Sequence, residues 1–351
     1  MKIAFFISSL NIGGAEKQSI LDANIMVKEN EVFLLFFTDG TQKELLDSRV
    51  VLFQLVKKSY LTNAFVLVRY VKKNNIDLIH CSLFAPMVTS ALASLFTKIK
   101  VIWHFHSHEY DIPLKSQEAF RYLAKLPSVK KILFVNHELM NHFSFYHFPA
   151  NKSAVLYNHS EINNPPLKTN DHHKLVNIGY LGRIVKLKRV HYLIELAEYL
   201  IRQERFTDFK IHIVGDGEAM EEIKTLLINS GCNDYFFFHG FQKEVVEYYQ
   251  KFDLFVNPSS EECLSMAMID AGMMGLPMVA FDVGGNNEIV VNGVTGYIVN
   301  DKPEFFSRCY QLISQPEQRK IFGMKAQIHC RKNFSAEKHF GEIKKIYAEI
   351  F

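Results

Sequence analysis

The chain has 351 residues, 48% hydrophobic and 22% charged, with a formal charge of +3; this balance describes about two globular domains and excludes a disordered chain. No run reaches the roughly 18 uncharged apolar residues of a membrane-spanning helix, and in the opening MKIAFFISSLNIGGAEKQ glycines and charge follow too soon for a signal peptide. Cys81, Cys232, Cys263, Cys309 and Cys330 are odd in number and lack C-x-x-C spacing, which fits reduced cytosolic thiols rather than a disulfide framework or a zinc ribbon.

Along the chain, apolar runs at 2–8, 31–37, 77–81, 101–105 and 132–135 read as buried strands, with helical periodicity at 15–28, 61–73, 85–96 and 117–126. Such alternation predicts right-handed crossovers and a parallel sheet covered on both faces. Residues 158–173, NHSEINNPPLKTNDHH, are polar, contain Pro165-Pro166 and read as a linker. The alternation then restarts, with strands at 175–181, 210–214, 235–239, 254–257 and 277–281 and helices at 190–201, 219–228, 245–251 and from 265. A last amphipathic helix is expected over 336–351. Two doubly wound domains bind ligands at the carboxyl ends of their strands.

Several polar motifs fall at those strand ends. Gly13-Gly14 closes the first strand and opens the first helix, where backbone can approach an anion or simply make a tight turn. Gly182-Arg183 follows strand 175–181, and Lys188 comes five residues later at a helix start; two cations there suit a diphosphate. Glu262 leaves strand 254–257, and Asp270 follows eight residues on within the next helix, so two carboxylates can address sugar and ribose hydroxyls or stand as a polar loop and an exposed acid. Gly284-Gly285 repeats the glycine-bearing strand end. Alternation puts His104, His106 and His108 on one face; one of them at the crevice can orient substrate or handle a proton, while metal has no acidic partner nearby except Glu109 and Asp111. The chain has no D-x-D, P-loop or G-x-S-x-G, and no nucleic-acid signature. Residues 1–160 hold 18 Lys and Arg against 12 Asp and Glu, which suits an anionic partner or an ordinary surface.

Taken together, these residues resemble the family-4 retaining glycosyltransferases. The likeness runs through Gly13-Gly14-Ala15-Glu16, D-L-I-H at Asp77 to His80, V-I-W-H-F-H ending at His106 and the Gly182-Arg183 and Lys188 pair. It continues through V-G-D-G at Val214 to Gly217, P-S-x-x-E ending at Glu262, G-L-P-M-V-A at Gly275 to Ala280, V-G-G-x-x-E at Val283 to Glu288 and N-G-x-T-G at Asn292 to Gly296. It implies an α/β chain of GT-B fold, two doubly wound Rossmann-like domains facing across a cleft, with an acceptor domain at 1–165 and a donor domain at 166–335. The helix at 336–351 would cross back to the first domain.

The implied reaction is retaining transfer of a sugar from a nucleotide-diphosphate donor, UDP- or GDP-linked, to a hydroxyl of a glycan or polyprenyl-diphosphate-linked acceptor in capsule or O-antigen polysaccharide biosynthesis. No cofactor or metal is expected. Arg183 and Lys188 would stabilise the leaving diphosphate, Glu262 would hold the transferred sugar, and Asp270 would hold ribose. Gly13, Gly14 and Gly182 would line the donor site, the backbone at Cys263, Leu264 and Ser265 would offer amides, and His106 would touch the reacting centre. The implied setting is cytoplasmic, peripheral on the inner face of the plasma membrane, with contact to anionic lipid and none to nucleic acid. Four positions depart from the pattern: Asp270 is Asp where Glu is usual, Cys263 and Arg189 stand where glycine is usual, and Asn158-His159 replaces Asn-Gly. A non-catalytic nucleotide-sugar-binding protein and a nucleotide-sugar epimerase are the rival readings.

Overall fold

The computed structural model describes residues 1–11, 13–56, 58–108, 114–163, 165 and 175–351. Residues 166–173 of the expected linker, and Glu109 and Asp111, lie outside the described residues. The chain divides into two compact units, Met1–His159 with Ala336–Phe351, and Ser160–Ser335, so the division falls before Ser160 and not at 165/166.

In the first unit, β1 (Lys2–Ser9), α1 (Gly14–Met26), β2 (Glu31–Thr38), β3 (Val51–Gln54), α2 (Tyr60–Asn74), β4 (Leu78–Ser82) and α3 (Phe84–Ser94) are followed by β5 (Lys100–Phe105), α4 (Leu114–Lys125), β6 (Val129–Phe134), α5 (His137–His142) and β7 (Ser153–Val155). The strands form one parallel sheet in the order β3-β2-β1-β4-β5-β6-β7. Central strands such as β1 and β4 are buried on both faces, as helices on either side of a parallel sheet require, although β4 carries the polar His80 and Ser82. The Ser59 side chain caps α2 by accepting from the Thr62 amide at 3.2 Å, and Asn75 ends it in the left-handed region.

The second unit runs β8 (Val176–Leu181), α6 (His191–Arg202), β9 (Phe209–Val214), α7 (Met220–Ser230), β10 (Phe236–Phe238), α8 (Val246–Lys251), β11 (Leu254–Asn257) and α9 (Met266–Met273). It closes with β12 (Met278–Phe281), α10 (Asn286–Ile289), β13 (Gly296–Val299), α11 (Lys302–Ser314) and α12 (Pro316–Phe334). Its parallel sheet has the order β10-β9-β8-β11-β12-β13. The last helix, α13 (Ala336–Ala348), belongs to the first unit, where Ile343 and Tyr347 join the core formed by Ile3, Phe5 and Leu34. In each sheet the chain order reverses beside the first strand, between β1 and β4 and between β8 and β11, which is where doubly wound sheets open a crevice.

The short or edge elements β3, β7, α5 and β13 escape the sequence reading, and so do the long helices α11 and α12 of the second unit. The buried face of α12 explains its omission, because it includes Gly323, Ala326 and Gln327 beside Phe322, Cys330 and Phe334, a stripe that hydropathy does not mark. Asn158, His159 and Ser160, expected to open a polar linker, are instead buried. Gln18 on α1 supplies the missing partner: its carbonyl accepts from the His159 amide at 3.1 Å. No helix among the described residues is long and apolar enough to cross a membrane.

Candidate functional site

At the switch point of the second sheet, β8 ends in Gly182-Arg183 and β11 ends in the loop that carries Glu262. Glu262 Oε1 is the focus of three donors: Lys188 Nζ at 2.7 Å, Ser259 Oγ at 3.0 Å and Asn257 Nδ2 at 3.2 Å. Asn257 and Ser259 are buried, whereas the Lys188 and Glu262 side chains keep 18% and 12% of their surface, so the pair is held from below and open above. The turn that presents Lys188 is tied to the same loop, since Leu187 O accepts from the Ser260 amide at 2.8 Å and its hydroxyl at 3.0 Å. Arg183 is exposed at the end of the neighbouring strand. Sequence order suggested separate tasks for Lys188 and Glu262; the structure brings them into contact.

Backbone packing fixes this arrangement. Gly284 has φ +53°, and a Cβ there would overlap the Glu262 carbonyl oxygen; the next residue, Gly285, donates its amide to Cys263 O at 2.7 Å. The V-G-G turn thus lies directly against the Glu262 loop, which only glycine allows. Gly284→Ala is expected to cost about 2–3 kcal/mol and to weaken nucleotide binding, measurable as a lower urea midpoint and a higher Kd; wild-type values in both would remove this support role. Gly215 of V-G-D-G plays the equivalent part beneath Gly182, since its Cβ would overlap Gly182 O.

The departures now have physical readings. Arg189 occupies the left-handed region at φ +45°, costly for a residue with a Cβ. Its guanidinium lies 5.6 Å from both the Tyr192 and Phe281 ring centroids, so it stacks on rings and offsets part of that strain. Asp270 is buried in α9 and accepts a 2.5 Å hydrogen bond from Ser160 Oγ, while the Ser160 amide donates to Phe334 O at 3.0 Å. Cys263 is half-buried, Leu264 is buried, and Ser265 precedes α9 without a side-chain cap.

In the first unit, Gly13 and Gly14 open α1, with the Glu16 carboxylate folded against the Gly13 Cβ position and open space at that of Gly14 among the described residues. His106 follows β5 and is buried. Its Nε2 lies 3.2 Å from Ser82 Oγ at the end of β4, and Ser82 in turn accepts from Ser19 Oγ at 3.1 Å. Burial pushes the imidazole down to about 3, outweighing the pull of Asp22 and a hydrogen bond the ring donates to Asn158. It is neutral at neutral pH and suited to hydrogen bonding rather than to charge.

His104 and His106 share a face as expected, their ring centroids 4.1 Å apart, whereas β5 ends at Phe105 and His108 lies beyond it. His104 sits between His80 and Leu156 O, at 3.3 Å from each, and His108 Nε2 meets Glu138 Oε2 at 2.7 Å. Among the described residues, two side-chain groups have spacing compatible with a metal ion: His108, Glu138 and His142, partly exposed, and Asp22, His159 and His339, fully buried. The second group is tied together by neighbouring side chains and backbone, although His159 Nε2 has no hydrogen-bond partner among the described residues. His339 Nε2 faces Asp22 Oδ1 at 2.8 Å and its Nδ1 donates to Tyr157 O at 2.8 Å, while Gln18 Nε2 donates to Asp22 Oδ1 and His159 Nδ1, both at 2.7 Å. Sequence reasoning passed over Gln18, Asp22 and His339, and noted His159 only as a substitute for glycine.

Two parallel-sheet Rossmann-like domains of this topology constitute the GT-B fold. Accordingly, the structure overlays that of Anabaena Alr3699/HepE in complex with UDP with a TM-score of 0.87, at 20% identity over 99% of this chain and 100% of that one. Residues 26–159 match the model of Glycosyltransferase Family 4, and residues 176–315 that of Glycosyl transferases group 1. The chain belongs to the family-4-type glycosyltransferases. It is similar to an uncharacterized glycosyltransferase of Haemophilus influenzae, 27% identical over 90% of this chain and 91% of that one. A capsular polysaccharide biosynthesis glycosyltransferase of Staphylococcus aureus is 27% identical over 50% of this chain and 48% of its own. A UDP-Gal:α-D-GlcNAc-diphosphoundecaprenol α-1,3-galactosyltransferase of Escherichia coli is 25% identical over 48% and 44%, respectively.

Proposed function

We propose that this glycosyltransferase moves a sugar from a UDP-linked donor to a hydroxyl of a polyprenyl-diphosphate-linked glycan, with retention of configuration. The observation that carries the reading is the Lys188–Glu262 pair, braced by Asn257 and Ser259 at the carboxyl ends of the second sheet. A cation at 2.7 Å from a carboxylate presents both groups that a nucleotide sugar needs, one for the diphosphate and one for sugar hydroxyls. Names of the neighbours support the donor and acceptor classes: a bound UDP in one, a diphosphoundecaprenol-linked substrate in the other.

In this mechanism Arg183 and Lys188 stabilise the negative charge that builds on the leaving diphosphate. Glu262 accepts hydrogen bonds from the transferred sugar, and His106, neutral, positions a hydroxyl at the reacting centre. The acceptor hydroxyl attacks from the face the diphosphate leaves; the new C–O bond forms as the sugar–phosphate C–O bond breaks and the hydroxyl proton passes to the departing phosphate oxygen, so no carboxylate nucleophile is assigned. Membrane-embedded acceptors place the work at the inner face of the plasma membrane. Nucleotide release from a panel of UDP- and GDP-sugars, with and without a polyprenyl-diphosphate-linked sugar, tests the reading: acceptor-dependent release of UDP is expected, and no release from any donor overturns it. Arg183→Ala should lower turnover at least tenfold, and EDTA should leave wild-type turnover unchanged because these cations replace a metal; an unaffected variant would remove Arg183 from the diphosphate site.

A further inference from the structure

On the first unit, α2 buries Ala64, Leu67, Val68 and Val71, which leaves its opposite face free of any core duty. That outer face begins with Leu61 at 61% and Phe65 at 54% exposure, and continues with Val66. The Phe65 ring lies 5.5 Å from that of Phe96, which with Leu95 is also more than half exposed at the end of α3. Single exposed apolar residues are ordinary, but a cluster of aromatic and aliphatic side chains on adjoining helices marks a surface that something covers.

The charges around this cluster identify the partner. From residue 48 to 108 the chain carries eight lysines and arginines and one acidic residue, Asp77. Four residues apart along α2, Leu61 and Phe65 are followed on the same row by Arg69 and Lys73, with Lys72 beside them. Lys98 follows Phe96 and is exposed. Among the described residues, none of Arg69, Lys72, Lys73 and Lys98 forms an ion pair. A helix lying in a membrane interface has this composition, with apolar side chains entering the acyl boundary and cations at the phosphate layer. A second copy of the chain fits poorly, since a two-fold contact would set these cations against themselves.

We propose that the outer face of α2 with the end of α3 docks on an anionic lipid bilayer. This names the surface for the membrane contact suggested above and needs nothing from the donor site, so the two can fail separately. Purified protein is mixed with vesicles of phosphatidylcholine alone or with 30% phosphatidylglycerol, and binding is read by flotation. Binding at least tenfold tighter to the anionic vesicles is expected, falling as salt rises. Leu61→Glu with Phe65→Glu, and separately Lys72→Glu with Lys73→Glu, should each reduce it tenfold or more while circular dichroism and nucleotide release with a detergent-solubilised acceptor stay at wild type. Equal binding to both vesicle types, no binding, or wild-type binding by either double variant overturns the proposal. So does a concentration-dependent dimer abolished by Leu61→Glu with Phe65→Glu, which would assign the face to a second copy.

Discussion

His339→Ala should destabilise the protein by about 3–5 kcal/mol, the usual cost of removing one partner from a buried ion pair. Both ring nitrogens of His339 face acceptors, the Asp22 carboxylate and the Tyr157 carbonyl, so the imidazolium is the form that fits. Burial opposes the charge on His339, but the charge and hydrogen bond of Asp22, helped by Tyr157, raise its pKa above the usual histidine value. Burial likewise opposes ionisation of Asp22, and His339 overrides it, holding the carboxyl well below the usual range. Without His339 the carboxylate keeps, among the described residues, the Gln18 amide at 2.7 Å and the more distant His159 at 3.7 Å. His339 and Tyr347 both lie on α13, and Tyr347 Oη bonds His80 Nδ1 at 2.8 Å, so the loss undermines the docking of the last helix on its own unit.

A pH signature separates this pair from generic packing. His339, with its pKa raised in the fold, contributes stability that is complete below the unfolded value of about 6.5 and is lost as pH rises through its folded value. Four other buried histidines behave in the opposite way. Burial pushes His80 to about 4, His106 and His159 to about 3, and His104 well below the ordinary value. Between those values and about 6.5 the unfolded chain binds protons that the fold refuses, and each such proton steepens the loss by roughly 1.4 kcal/mol per pH unit. Urea midpoints should therefore fall sharply from pH 6.5 to 5. In His339→Ala the acid-side fall should persist while the loss on the alkaline side disappears. A variant whose pH profile is merely shifted down in parallel would show that His339 is not charged in the fold.

How much of this was visible in the sequence depends on the range of the contacts. Gly182, Arg183, Lys188, Glu262 and Gly284 could be named because parallel sheets deliver loops to one edge and each residue adjoins a recognisable strand. Their mutual contacts were not visible: nothing in the spacing says that Lys188 and Glu262 pair with each other, because the turn that lifts Lys188 is set by Ser260 holding Leu187 O. The histidine network was hidden more deeply. Gln18 meets His159 across 141 positions, and His339 meets Tyr157 across 182, distances at which periodicity carries no information. One signal was present, a histidine where glycine is usual after Asn158. A large polar side chain in place of glycine needs buried partners, and α1 provides them in Gln18 and Asp22.

The second large effect concerns the pair at the candidate donor site. Lys188→Ala should lower transfer by roughly 10²–10³, the range found when a preorganised charge at a developing anion is removed. Glu262→Gln is the more diagnostic change. Gln keeps an oxygen for Asn257 and Ser259, so the loop should hold its shape, but it no longer competes with phosphate for the Lys188 ammonium now 2.7 Å away. UDP should therefore bind several-fold more tightly to Glu262→Gln than to the wild type, while turnover falls because the neutral amide is a weaker acceptor for the sugar hydroxyls. Titration calorimetry with UDP and initial rates with a UDP-sugar measure the two arms. Opposite movements of affinity and turnover are what a carboxylate that exchanges a lysine for a sugar must produce. If UDP binding weakens along with turnover, Glu262 acts by holding Lys188 in place, and the sugar-binding role passes to another residue.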